Sequence, residues 1–257
     1  MTATTTPVRH RTRPRRPTLD HATAKRLAEV EYARFIAQLR ELAPGDWAKP
    51  TACPAWDIHD MACHVLGMAE FAASPVEQAR QFRAAKRAPG LLLDALTALQ
   101  VARHRHRLPA EIIARLAAVT PRAAKNRGRT PRLIRHVRMS DQPVDNLGAQ
   151  TEAWTVGYLT DVILTRDTWM HRSDIAAAAS RPLTLSAGHD GTLAADVAAE
   201  WAQRHRQPCT LTLTGPAGGR RAWGTGGPSY ELDAVEFCRI VSGRGSGDGL
   251  LATRVPF

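Results

Sequence analysis

Arg166-Asp167-Thr168-Trp169-Met170-His171-Arg172-Ser173-Asp174 sets a carboxylate and an imidazole four residues apart inside a long helical pattern. One helical turn brings i and i+4 onto the same face, so Asp167 and His171 can reach one ion together. About a hundred residues upstream, Trp56-Asp57-Ile58-His59-Asp60-Met61-Ala62-Cys63-His64 offers His64 as a second imidazole. If His64 faces the pair from a neighbouring helix, two histidines and one carboxylate form a site with open coordination positions. That donor set suits a catalytic metal better than a closed structural one.

Helical periodicity extends outward from both segments. Leu27, Val30, Phe35, Ile36 and Leu39 recur at helical spacing between Ala22 and about Leu42, where Pro44-Gly45 interrupts. Asp57 is placed to cap the next helix, whose stripe is Ile58, Met61, Val65, Leu66 and Met68. Further helices are expected over 91–99 and 111–119, with His104 to Arg107 and Pro109 between them and an irregular stretch from Pro121 to Pro131. Trp154 to about Ala178 is the longest helical pattern, closed by Arg181-Pro182. Beyond it lies a helix from Ala187 to Arg206. Thr210-Leu211-Thr212-Leu213-Thr214 then alternates strictly, as a half-buried strand does, and a Gly-Pro turn leads to a return strand through Trp223. A helix over Leu232–Val241 and a last strand over Leu250–Val255 complete the expectation. Helices first and mixed elements afterwards indicate a helical bundle over residues 20–180 and a small α/β domain over 181–257. The Thr-, Pro- and Arg-rich residues 1–19 read as a disordered basic arm.

Composition narrows the class. The 257 residues, 44% of them hydrophobic, suffice for a sizeable core, and no run of about 18 apolar residues is present to span a bilayer. The arginine-rich start lacks an apolar stretch of the secretory type, so a cytoplasmic location is expected. Cys53, Cys63, Cys209 and Cys238 show no CxxC spacing, against both a disulfide framework and a zinc knuckle. The net charge of +11 is uneven: residues 80–138 hold fifteen Lys and Arg against Asp94 and Glu111 alone. Such a segment can be a solvated face or an anion-binding surface. It contains a single aromatic, Phe82, so stacking on single-stranded nucleic acid has little support and a nucleic-acid partner is not expected.

The two metal-ligand segments, with Glu236 to Arg244 and the ending Val255-Pro256-Phe257, resemble the mycothiol-dependent maleylpyruvate isomerase family. The resemblance implies a DinB-like four-helix bundle followed by a sterol-carrier-like α/β C-terminal domain. It implies a divalent metal, usually zinc, held by His64, Asp167 and His171. It also implies mycothiol or a similar low-molecular-weight thiol as cofactor, and a small electrophile as substrate. Asp167 stands where the named isomerase has Glu, one methylene longer. Arg244 matches an arginine of the active-site wall and is the candidate catalytic residue; Arg244 and Arg172 are the candidate thiol- or substrate-binding cations. A metal-activated thiolate would serve an isomerase or S-transferase. A metal-activated water on the same ligands would serve a hydrolase, and a non-catalytic module using the basic segment is the other class of reading.

The remaining candidates each have a plainer reading. Asp174 is either an outer support for a ligand or an exposed carboxylate. Cys63 points about 100° away from His64 and reads as a small buried residue. Trp56 and Trp169 read as bundle packing, and His59, His104, His106 and His136 as surface histidines.

Overall fold

The computed structural model describes residues 13–90, 92–144 and 151–257. Four helices form the bundle: α1 (His21–Arg40), α2 (Ile58–Ala73), α5 (Pro109–Arg127) and α8 (Leu164–Ala179). Between them come α3 (Pro75–Ala85), α4 (Leu92–His104), the short α6 (Arg132–Arg135) and α7 (Val156–Tyr158), and the strands β1 (Arg138–Pro143) and β2 (Thr151–Thr155). The apolar stripes meet as expected: Phe35 and Leu39 of α1, Met61 and Leu66 of α2, Leu116 of α5 and Ile175 of α8 share one buried core. Burying each such side chain contributes roughly 1.5–3 kcal/mol.

Local chemistry sets the entry of α2. Asp57 is extended and its Oδ1 accepts the Asp60 amide at 2.8 Å, satisfying one of the unpaired N–H groups of the first turn. Asp60 does not return the favour; it takes a bidentate pair from Arg105 at 2.6 and 2.7 Å. Gly67 on the opposite side lets α4 close in, since a Cβ there would lie 2.5 Å from Gln100 Cβ.

The structure corrects the reading of the middle of the chain. Ser74 caps α3, a helix the periodicity did not suggest, with Pro75 in the first turn where no N–H is needed. Helix α4 runs on to His104, and α5 continues through Pro121 to Arg127 instead of giving way to an irregular stretch. An interior proline costs about 3 kcal/mol. Burial of Ala123 and Ala124, and hydrogen bonds from Arg127 to Thr160 O and Thr165 Oγ1, offset it. Trp154 sits on β2, not on a helix; Thr155 caps the turn that follows, accepting the Tyr158 amide at 3.1 Å. The helix then passes through a π turn, Leu159–Ile163, before α8. Residues 1–12 of the expected arm lie outside the described residues. Arg15, also assigned to that arm, pairs with β2 through Ala153 O and the Thr155 amide at 2.7 and 3.0 Å.

The C-terminal part comprises α9 (Asp190–His205), β3 (Cys209–Thr214), β4 (Gly219–Trp223), β5 (Ser229–Asp233) and α10 (Ala234–Val241). The sheet order is β4-β3-β5, with β3 antiparallel to β4 and parallel to β5. Trp201, Leu211, Phe237 and Val241 fill the space between sheet and helices, and Leu27, Trp169 and Met170 of the bundle enter the same core. The expected last strand is instead a 3-10 turn, Gly249–Ala252. Leu250 is pinned there on both sides: its amide donates to the Tyr230 hydroxyl at 3.2 Å and its carbonyl accepts Trp201 Nε1 at 2.9 Å. The segment after the turn returns toward the bundle, where Pro256 O accepts from Arg166 at 3.3 Å. Among the described residues no helix is long and apolar enough to cross a membrane.

Candidate active site

Helices α2 and α8 bring the three expected side chains together. His64 Nε2 lies 3.3 Å from Asp167 Oδ2, and His171 Nε2 lies 3.2 Å from Asp167 Oδ1. Both imidazoles are buried, their ring centroids 5.3 Å apart. Trp56, half-buried on the loop before α2, leans over both, 5.0 Å from the His64 ring and 5.9 Å from that of His171. Beside them opens a cavity of about 340 Å³ whose walls include Cys53, Asp94, Trp154, Arg244 and Phe257.

Asp174, one turn beyond His171, is fully buried. Both its oxygens accept from Arg244 Nε, at 2.8 and 3.1 Å, and Oδ1 accepts from Arg239 Nη1 at 3.0 Å. Its Oδ2 stands 3.6 Å from His171 Nδ1. Asp174 is therefore not the exposed carboxylate of the two readings: it is buried, paired with both arginines, and stands beside His171 without a hydrogen bond to its Nδ1.

The electrostatics follow from this crowding. Burial resists charge on His171, but the adjacent Asp167 carboxylate outweighs it and raises the imidazole to about 9. Burial likewise opposes ionised Asp167, and the two facing imidazoles hold it far below the usual carboxylate range. For Asp174, His171 and Arg244 overcome burial and keep the carboxyl low. Burial pushes the Cys53 thiol up to about 11 despite Arg244 nearby.

The donor set fits a divalent ion. Two imidazole nitrogens and a carboxylate oxygen lie within 4.8 Å of one another. Ligand atoms about 2 Å from a shared tetrahedral centre stand roughly 3.3 Å apart, close to the two spacings seen here. Glu31, His189 and Asp190 form another such cluster. There the acids are already occupied: Glu31 by Arg172 and His189, Asp190 by Arg34, Arg172 and Trp169.

Arg172 is a correction. It faces away from the cavity, buried between α1 and α9, donating to Glu31 at 2.8 Å, Asp190 at 2.6 Å and Thr184 O at 2.8 Å. An i,i+1 neighbour of a ligand necessarily points to another face of the helix. Arg244 alone of the two expected cations lines the cavity. Trp169 is core, as read, and donates to Asp190. His106 and His136 are exposed, but His104 is fully buried against Glu70 Oε2 at 3.2 Å, and His59 is half-buried. Asp94, Trp154 and Cys53 in the wall are not marked as site residues by the sequence: Asp94 lies on a helix with no partner nearby in the chain, and Trp154 reads as part of the helix that begins after it. Much of the basic segment is matched by acids elsewhere: Arg103 and Arg115 reach Glu70, Arg105 reaches Asp60, and Arg135 reaches Asp161.

A family model described as the mycothiol maleylpyruvate isomerase N-terminal domain matches residues 28–176. Two solved structures share the fold: the mycothiol-dependent maleylpyruvate isomerase, with a TM-score of 0.55, and its histidine-to-alanine mutant, with 0.54. Each is 15% identical, and the alignment covers 89% of this chain and 91% of the other. No curated protein matches the sequence.

Proposed function

The chain belongs to the mycothiol maleylpyruvate isomerase N-terminal domain family, and from that premise we propose that it is a metal-dependent enzyme using mycothiol or a similar small thiol on a small electrophile. The observation that supports this most is the meeting of His64, Asp167 and His171 beside a cavity that Arg244 also enters. These three side chains would hold the ion, and two nitrogens with one oxygen suit zinc. A thiol is mostly protonated at neutral pH, and a divalent ion supplies the charge that makes it a thiolate.

The chain's own residues account for the rest. Asp174 supplies a negative charge 3.6 Å behind His171 Nδ1, while Nε2 is turned toward Asp167. Arg244, steadied by Asp174, presents its Nη groups to a carbonyl or carboxylate oxygen of the electrophile. The sulfur adds to an unsaturated carbon, and the displaced electron pair moves onto the conjugated carbonyl oxygen. Rotation about the resulting single bond and expulsion of the thiolate give an isomer; protonation of the carbon instead gives a thioether. Trp56 and the enclosing walls limit water at the reacting atoms.

Metal analysis of the purified protein, combined with thermal denaturation against zinc, mycothiol and both, tests the proposal. One ion per chain and a thiol shift that needs the ion are expected. Stoichiometric ion retained in both His64→Ala and His171→Ala would overturn it.

A further inference from the structure

The charges around the cavity restrict what it can accept. Arg244 is the only Lys or Arg among the described lining residues, and the buried Asp174 beside it is shared with Arg239, which leaves Arg244 able to take one carboxylate. Asp94, exposed near the start of α4, adds a carboxylate to the rim with no ion-pair partner among the described residues. An ion held by His64, Asp167 and His171 would have its two charges offset by Asp167 and by the thiolate. The rest of the wall is largely apolar: Leu93, Val144, Trp154, Val255 and Phe257.

We propose that the electrophile of this site is a predominantly apolar unsaturated carbonyl compound bearing at most one carboxylate, and that dicarboxylates are disfavoured. Its single polar end meets the Nη groups of Arg244 while its hydrocarbon body lies against Trp154, Val255 and Phe257. A second carboxylate would find no second Lys or Arg among the described lining residues and would face Asp94; unpaired anions enter such partly enclosed sites poorly. This inference rests on the proposed function only in placing the electrophile in this cavity.

Calorimetric titration of the full chain, metal-free and zinc-loaded, with benzoylacrylate (one carboxylate) and maleylpyruvate (two) tests it. Benzoylacrylate is expected to bind at least about tenfold tighter in both forms. Asp94→Asn is expected to narrow the gap by strengthening maleylpyruvate binding. Equal affinities, tighter maleylpyruvate, or no binding of either compound overturns the inference. Following the electrophile in parallel, with and without thiol, as its cis–trans isomer or its thioether, separates the two proposals. Thiol-dependent conversion with a dicarboxylate preference sinks only the substrate class; selective benzoylacrylate binding with no thiol-dependent isomer or thioether formed under any condition sinks only the enzymatic reading.

Discussion

Arg244 reaches Asp174 through Nε, at 2.8 and 3.1 Å from the two carboxylate oxygens, across seventy residues of sequence. The same carboxylate stands behind His171. One buried carboxylate thus adjoins a side chain from the bundle and holds another from the turn after α10, and changes to it should be felt by both.

Asp174→Asn keeps the shape and removes the charge. Zinc affinity is expected to fall about 10–100-fold, the usual effect of losing an outer partner of a ligating histidine. Zinc titration checks this, with circular dichroism to show that the fold persists. Affinity unchanged within twofold would mean that Asp174 only supports the turn.

Asp167 holds its oxygens 3.2 and 3.3 Å from the two imidazoles. Asp167→Glu should push the carboxylate into space that the imidazoles already occupy. About a tenfold loss of zinc affinity is expected, against complete loss in Asp167→Ala. Direct competition with a chromophoric chelator measures both.

In the metal-free protein His171 is raised to about 9, above its ordinary 6.5. A group whose folded value is raised contributes stability that is complete below the unfolded value and disappears as pH climbs through the folded one. The melting temperature of the metal-free protein should therefore decline between pH 6.5 and about 9, and His171→Gln should flatten that decline. Denaturation scans across this range decide the matter.

Arg172→Met should act on the fold instead of the site. It leaves Glu31 and Asp190 buried with one partner fewer, and breaking such a network costs about 3–5 kcal/mol. Urea denaturation of the zinc-free protein should show that loss, while the folded variant keeps its zinc affinity within about threefold. Arg244→Met should show the reverse, with modest change in stability, because Arg239 still pairs with Asp174, and catalysis of thiol addition reduced about a hundredfold.

The bundle helices and the three converging side chains were legible because each rests on local rules: 3.6-residue periodicity, an aspartate cap and i,i+4 spacing. What escaped depends on distant partners. Pro121 reads as a helix breaker until Arg127 is seen reaching Thr160 and Thr165. Trp154 joins a helical pattern until Arg15 is seen pairing alongside it. Leu250 to Val255 reads as a last strand, but the hydrogen bonds of Leu250 to Tyr230 and Trp201 hold its start in a turn. Arg172 and Arg244 are equally plausible anion ligands on paper, and only the faces of α8 and the turn after α10 tell them apart.

Helix α8 carries Asp167 and His171 on one side while Trp169 and Met170 are embedded among the side chains of the C-terminal sheet on another. The helix that carries both side chains is gripped from two directions. If it holds an ion as proposed, release of that ion by heat should coincide with collapse of the entire molecule, in one cooperative transition with no earlier melting of the site.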